Sequence, residues 1–469
     1  MQATGMLSHT LARFALDLRW ETIPEPVRRR AKLLMLDAIG IAYASAAFPF
    51  AHSARAALAE FGAGASPVIG HGRSLPPRDA MLLNGVLIHG LDYDDTHSAG
   101  IVHATASTLP CVLALADQRR ADGRSLLAAY VAGMEVTTRL GAVAKGGFHQ
   151  VGFHPTGLIG TFGCTLAAAQ LLGLDVARAV MAQGIALSMA SGSLEFLQDG
   201  AWTKRLHPGW AAVGGVTAAM LAKHDYLGPR AAYEGRFGLF PSHLGAEADK
   251  ADLSLATAGL GELWEIENVA VKPIPACHFV HGSTDAAIAL RRAYAPDPQA
   301  IRRVLALVPA GVVTTVCEPL ATKRAPQNSY DAQFSIPYAV ASGLLRGRFT
   351  LDELDDAALA DPAVRALAAR VEYAPDPDTT FPRHYTGEVI LEMADGRVLR
   401  HREAINRGCA DRPLSEADIA EKYLANATRV LPRDHALRVQ EAVLDMDRAG
   451  AESAALADIL AAVPRRAAA

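Results

Sequence analysis

Three stretches of the chain set titratable side chains directly ahead of an apolar, helix-spaced run. In HGLDYDDTHSAGIVHATAS a loop carries Asp92, Asp94, Asp95, Thr96, His97 and His103, and a helix is expected close after His103. In GGFHQVGFHPTGLIGTFG, His149 and His154 lie in a Gly-rich loop before a helix starting near Thr156. In QDGAWTKRLHPGWAAVGG, Lys204, Arg205 and His207 precede a helix expected to start near Gly209. The first turn of a helix has backbone N–H groups without intrahelical partners and the positive end of the macrodipole, so each place favours anions. If the three converge, they form a cationic, donor-rich pocket for a polycarboxylate, with nearby carboxylates orienting the histidines. Two later stretches add candidates. KPIPACHFVHGSTDAA offers Lys272, His278 and His281, and APQNSYDAQFSIPYAV offers Tyr330, Gln333, Ser335 and Tyr338 entering a helix.

Plainer roles exist for each residue. Asp92–Thr96 can be Asx turns and a helix cap, and His154 alone can cap its helix. Lys204 alone can be a surface lysine, and His207 beside Pro208 a packed turn residue. Against this stands the density of polar groups in the first stretch and the recurrence of one design three times. Cys277, His278 and His281 lack the second ligand pair of a zinc signature, and His97 and His103 do not make HExxH. FGAGAS is a lone Gly-rich turn, not a dinucleotide fingerprint, and GxSxG is absent. What remains is acid–base chemistry with no metal and no organic cofactor. Histidines, a lysine and a tyrosine suit proton removal next to a carboxylate, with Lys204 and helix N-termini stabilising the charge that develops.

The elements that position these residues are mostly helical. From Pro26 to Ala42, apolar Val27, Ala31, Leu34, Met35, Ala38, Ile39 and Ala42 follow helical spacing. Similar runs cover Pro77–Leu91, Thr105–Arg119, Ser125–Lys145, Leu158–Leu172, Asp175–Ser188 and Gly209–His224. The pattern changes near Leu263. WEIENVAVKPI and RRVLALVPAG are predicted strands, and Gly282–Tyr294, Ala332–Leu345 and Leu354–Ala368 helices. VEYAPD is a strand, and EVILEM and RVLRHRE form a hairpin turning at Asp395-Gly396. Helical pattern returns from Ser415. The expected fold class is mainly α, a large all-helical bundle domain (1–262 with 408–469) and a smaller inserted α+β lid domain (263–407). The tail PRRAAA is expected to be disordered.

Composition agrees with an ordinary globular protein. The 469 residues are 51% hydrophobic but only 6% aromatic, so Ala- and Leu-rich helices should pack closely. With 45 basic and 49 acidic residues the net charge is −4, which argues against a nucleic-acid binder. Only eight of the basic residues are lysines, which draws notice to Lys204 in its apolar, Gly-rich setting. Five dispersed cysteines without a CxxC pair fit a reducing cytoplasm and no disulfide framework. The N-terminus does not read as a signal peptide, and no stretch of uninterrupted apolar residues is long enough to predict a membrane span.

The motifs together resemble the MmgE/PrpD family, whose members include 2-methylcitrate dehydratase, cis-aconitate decarboxylase and iminodisuccinate epimerase. The resemblance rests on LDAIGIAYAS, NGVLIHGLDYDDTH, GFHPTGLIGTFGCTLAAAQLLGL, TKRLHPGWAAVGG, KPIPACHFVHGSTDAA and SIPYAVASGLL, which span most of residues 33–345. It implies a helical domain, an α+β lid domain, a site between them, a homodimer, and neither metal nor nucleotide. Family active-site residues map onto Asp92, Thr96, His103, His154, Lys204, His281 and Tyr338. His97 can share the role of His103, and His278 competes with His281. Arg205, His207 and Gln333 join Thr96, His97 and His278 as expected substrate contacts. The implied activity is metal-independent acid–base chemistry on a small di- or tricarboxylic acid. A 2-methylcitrate dehydratase-like elimination of water is the first expectation, with epimerisation or decarboxylation as alternatives. In the expected mechanism His103 or His154 removes the proton, Lys204 stabilises the enediolate, and Asp92 orients a histidine.

Overall fold

In the computed structural model, which describes residues 5–462, the chain divides into two compact units. Of the described residues, unit 1 takes those up to Gly90, Asp94–Val271 and those from Ser415 onward. Unit 2 takes Lys272–Leu414 and, separately, the three residues Leu91–Tyr93. The sequence reading placed the breaks at 262/263 and 407/408 and had no sign of the excursion at 91–93. The tail PRRAAA lies outside the described residues.

Prolines open many of the helices, because the first turn needs no N–H from them. Pro26, Pro49, Pro77 and Pro155 stand at such starts in Glu25–Ser45, Pro49–Ala59, Pro77–His89 and Pro155–Leu171. Pro155–Leu171 is buried from Pro155 through Ala169 and packs against Ala104–Arg119, Gly123–Val143 and Thr203–Lys223. A helix apolar on every face belongs at the centre of a bundle. Gly123–Val143 is long and apolar enough to cross a membrane, yet 94% of its apolar stretch is buried inside the protein, as befits a core helix. Close approach depends on missing side chains. A Cβ on Gly85 would stand 2.3 Å from the Cα of Gly209, so this glycine pair lets Pro77–His89 lie directly on Thr203–Lys223. At its C-terminal end the unit gains Glu416–Ala427, Arg433–Leu444 and Ser453–Ala461. The first packs on Glu25–Ser45 with a buried Lys422–Asp37 ion pair of 2.7 Å.

Unit 1 is not purely helical. Ser66–Val68 pairs with Gly72–Leu75, and Thr96–His97 pairs with Val269–Ala270, both antiparallel. The long strand expected over WEIENVAVKPI is reduced to Val269–Ala270. The buried carboxylate of Glu135 accepts the N–H groups of Glu265 and Ile266, which turns Glu265–Asn268 into a 3-10 segment instead. Between His224 and Glu265 the only α-helix is the six-residue Leu239–Leu244, so residues 1–260 are less continuously helical than the spacing predicts.

Unit 2 is built on a four-stranded sheet in the order Val371–Pro375, Ile301–Val308, Gly387–Met393, Val398–Glu403. The first pair is parallel and the other two antiparallel. His281–Tyr294 packs on both hairpin strands and on Ile336–Arg346. Gly396, at φ +87, supplies the left-handed residue in the hairpin turn. Two predicted helices are broken. Ser335 caps Ile336–Arg346 by accepting the N–H of Tyr338, which separates it from Ser329–Gln333. Asp361 and Pro362 start Pro362–Ala368 afresh after Asp356–Leu359.

Candidate active site

In unit 1, His89 closes the helix Pro77–His89, and five residues later Asp94 folds back on it. His89 Nδ1 and Asp94 Oδ2 are 2.8 Å apart and both side chains are fully buried. A carboxylate facing Nδ1 fixes the proton there and leaves Nε2 with its lone pair. That Nε2 is buried and has no hydrogen-bond partner. His103 immediately precedes the helix Ala104–Arg119. Its Nδ1 donates to the Asp95 carbonyl at 2.7 Å, 3.5 Å from Asp94 Oδ2 and 3.3 Å from Thr96 Oγ1. Its backbone N–H donates to Thr156 Oγ1, which joins the start of this helix to that of Pro155–Leu171. Burial raises the Asp95 carboxyl to about 7, with Asp94 adding to the shift.

His154 immediately precedes Pro155–Leu171, and its Nδ1 lies 2.9 Å from His207 Nδ1, so one ring donates and the other accepts. The rings of His89 and His103 are 4.7 Å apart, those of His89 and His154 5.6 Å, and those of His154 and His207 5.1 Å. Burial, with the neighbouring histidines and Lys204 adding to it, pushes His154 well below its ordinary value. His207 falls to about 4 for the same reasons, and burial and Lys204 bring His149 to about 4. Two local expectations are corrected. Lys204, Arg205 and His207 do not precede their helix, which starts at Thr203 and runs through Pro208 to Lys223. His149 sits in a one-turn helix, Gly147–Gln150, rather than a loop.

The structure thus brings Thr96, His103, His154 and His207 together, with Lys204 close enough to act on the last two. His97 and Arg205 also hold protein partners of their own. His97 accepts the Gly100 N–H through Nδ1 and contacts Glu265 at 3.0 Å through Nε2, which pins the loop. Arg205 donates to the Gly90 carbonyl and lies over Phe50, 4.6 Å from the ring centre.

The remaining predicted residues belong to unit 2. Lys272, almost fully buried, donates to the Asp92 carbonyl at 2.8 Å and stands 3.2 Å from its carboxylate. Asp92 adopts φ +50, a left-handed conformation that Asp tolerates better than most residues. His278 accepts from Asn406 Nδ2 at 3.1 Å, and burial followed by the charge of Lys272 lowers it to about 3. His281 stands 4.7 Å from the His278 ring, with Nε2 on the Ala276 carbonyl. Gln333 donates to the carbonyls of Leu91 and Pro275. Tyr338 is fully buried with its hydroxyl on the Glu353 carbonyl.

Chemically, the unit 1 cluster is a run of imidazoles, two of them on buried Asp94, next to a lysine and the starts of three helices. It can move protons and hold anions. One nitrogen from each of His89, His103 and His154 lies within 4.8 Å of the others, a grouping that could also hold a metal ion. The Cys277/His278/His281 trio, the sequence's weak zinc candidate, makes no such group among the described residues, and all five cysteines are free and buried. Sequence reasoning missed His89 and gave Asp94 no role. The signal was the His–x4–Asp spacing across the end of a helix, in which a carboxylate in the following loop can return to the last turn.

Comparison with known proteins gives a consistent result over the whole length. The MmgE/PrpD N-terminal domain matches residues 9–251 and the MmgE/PrpD C-terminal domain residues 274–448. A cis-aconitate decarboxylase from Homo sapiens is 32% identical over 376 residues, 77% of this chain and 74% of the relative. The cis-aconitate decarboxylase-like protein oryM from Aspergillus oryzae is 27% identical over 97% of both chains. A 2-methylcitrate dehydratase from Cupriavidus necator is 25% identical over 80% of both.

Proposed function

The chain belongs to the MmgE/PrpD family, and on that premise we propose that it is a lyase acting on a small di- or tricarboxylic acid, with decarboxylation of a cis-aconitate-like acid as the first reading. The observation that carries the proposal is a run of adjacent imidazoles, with His89 and His103 on buried Asp94 and His154 bonded to His207, where three helices begin. Relatives named as cis-aconitate decarboxylases cover up to 95% of the chain, which favours loss of CO₂.

Loss of CO₂ from the CH₂-carboxylate of cis-aconitate leaves an electron pair that the double bond carries to the carbon beside another carboxylate. That enediolate-like charge is stabilised by Lys204 and by helix N-termini. A proton delivered to the carbon completes the reaction, and His103 is the assigned donor, oriented by the Asp95 carbonyl and Asp94. His154 and His207 share one hydrogen bond and are held neutral by burial, so a bound polyanion is what draws protons onto them.

Elimination of water is the second reading, supported by the 2-methylcitrate dehydratase relatives. It runs the same groups in a different order. A histidine takes the α-proton, Lys204 holds the enediolate, and a second imidazole protonates the leaving hydroxyl.

Proton NMR in D₂O, with EDTA-treated protein and a panel of cis-aconitate, 2-methylcitrate, citrate and substituted succinates, tests both. A new vinyl signal with CO₂ release supports the first reading, and a new vinyl signal without CO₂ supports the second. Loss of an α-proton signal with no new product would replace both by epimerisation. Silence across the panel with the fold intact would refute the proposed substrate class.

A further inference from the structure

The three central histidines share a pattern that proton transfer alone does not require. Each has its Nδ1 held by a neighbour: His89 on Asp94, His103 on the Asp95 carbonyl, His154 on His207. One nitrogen from each ring then lies within 4.8 Å of the other two, and all three residues are buried. The Nε2 of His89 has no partner at all, and a buried acceptor left unsatisfied is costly. Imidazoles whose outer nitrogens are fixed by a carboxylate, a carbonyl or another ring are how metal sites orient their ligands.

We propose that His89, His103 and His154 form a binding site for a divalent transition-metal ion of the zinc class, with Asp94 holding the His89 ligand from behind. The ligand type selects the ion. Neutral imidazoles suit zinc, cobalt, nickel or copper, whereas magnesium and calcium require oxygen ligands. Zn–N bonds of about 2.0–2.1 Å in a tetrahedral site put the nitrogens about 3.3 Å apart, so the rings need to close by no more than about 1.5 Å. The fourth position is open to water or to a carboxylate.

The consequence for turnover rests on the proposed function. A nitrogen lone pair that ligates zinc cannot exchange a proton with substrate. Bound zinc therefore blocks the lyase reaction instead of supporting it, and chelation restores it.

The test uses the full chain, stripped with EDTA and dialysed. Zinc is titrated against a chromophoric chelator, and cobalt is added separately to read coordination from its visible absorption. The expected result is one zinc per chain, an intense four-coordinate cobalt spectrum, and no competition from a large excess of magnesium. Asp94→Asn should weaken zinc binding by about 10- to 100-fold, and His89→Ala by at least as much. The cobalt spectrum of the unmodified protein stands even where a variant fails to fold. Absence of stoichiometric zinc, a six-coordinate cobalt spectrum, or binding unchanged in well-folded His89→Ala overturns the site. Zinc that raises turnover overturns the blocking role. Zinc bound by a protein that turns over none of the acids supports the metal site and counts against the lyase reading alone.

Discussion

Both units pair a buried carboxylate with buried bases, but the carboxylate has a different owner in each. In unit 1, Asp94 faces imidazoles, 2.8 Å from His89 and 3.5 Å from His103. In unit 2, Asp92 faces the ammonium of Lys272, 3.2 Å away, and His278 stands by with its proton affinity suppressed. An imidazole has two ring nitrogens and can take a proton on one while the other is held, whereas the Lys272 ammonium is already spent on the carbonyl and carboxylate of Asp92. The first arrangement suits a mobile proton and the second a structural tie between Lys272 and Asp92. Substitutions in unit 1 should therefore fall on turnover, and those at the Lys272–Asp92 pair first on stability.

The largest expected effect is on the mobile-proton side. His103→Ala, His154→Ala or Lys204→Ala should each lower kcat/KM by about 10²–10⁴-fold while the circular dichroism spectrum is kept. Near-normal activity in all three would remove the cluster from the mechanism. Next comes the fixed pair. Asp92→Ala leaves Lys272 buried without its carboxylate and should cost about 3–5 kcal/mol, read as a fall in urea midpoint. Asp92→Asn with Lys272→Met, which keeps a residue that tolerates φ +50, should recover most of that loss, and a double variant as unstable as Asp92→Ala would contradict the reading.

pH separates the units further. In unit 1, His207 has a value of about 4 and His154 lies well below its ordinary value, and a bound polyanion raises both. Binding then takes up protons, so affinity for a tricarboxylate should strengthen as pH falls from 7 toward 5, by at most about tenfold per pH unit per proton. Calorimetry in buffers of different ionisation enthalpy checks this, and no buffer dependence would refute it. In unit 2, His278 binds its proton at about 3 when folded and near 6.5 when unfolded. Its contribution to stability is complete above about pH 6.5 and is lost as pH falls toward 3. His278→Gln should flatten the acid limb of a Tm-against-pH curve, and an unchanged slope would show another group in control. The smallest effect is expected of Tyr338→Phe, about 1 kcal/mol from the lost bond to the Glu353 carbonyl with turnover retained. A large fall in kcat with stability unchanged would give Tyr338 a chemical role.

Much of this was legible before folding. The core helices of unit 1 and the sheet strands of unit 2 follow their hydrophobic periods, and the family follows from GFHPTG and KRLHPGWAA. What stayed hidden depends on contacts made far along the chain. Nothing in WEIENV announces that Glu135, 130 residues earlier, takes its backbone N–H groups and denies them to a strand. His89 looked like one more residue of an apolar helix, since only the folded loop reveals Asp94 behind it. His97 and Arg205 carry the right chemistry, and their bonds to Glu265 and to the Gly90 carbonyl could not be read from the sequence. Residue type marked the side chains able to exchange protons, and the unpredicted partners decided which of the candidates face one another.

The excursion at Leu91–Tyr93 bears on modularity. Unit 2 is not a cassette that can be cut out at Lys272 and Leu414. Such a fragment would carry Lys272 without Asp92, Gln333 without the Leu91 carbonyl and Pro273 without the Tyr93 hydroxyl. Its assembly waits on three residues made about 180 positions earlier, so splitting, grafting or shuffling the two units has to carry that short segment along with the larger one.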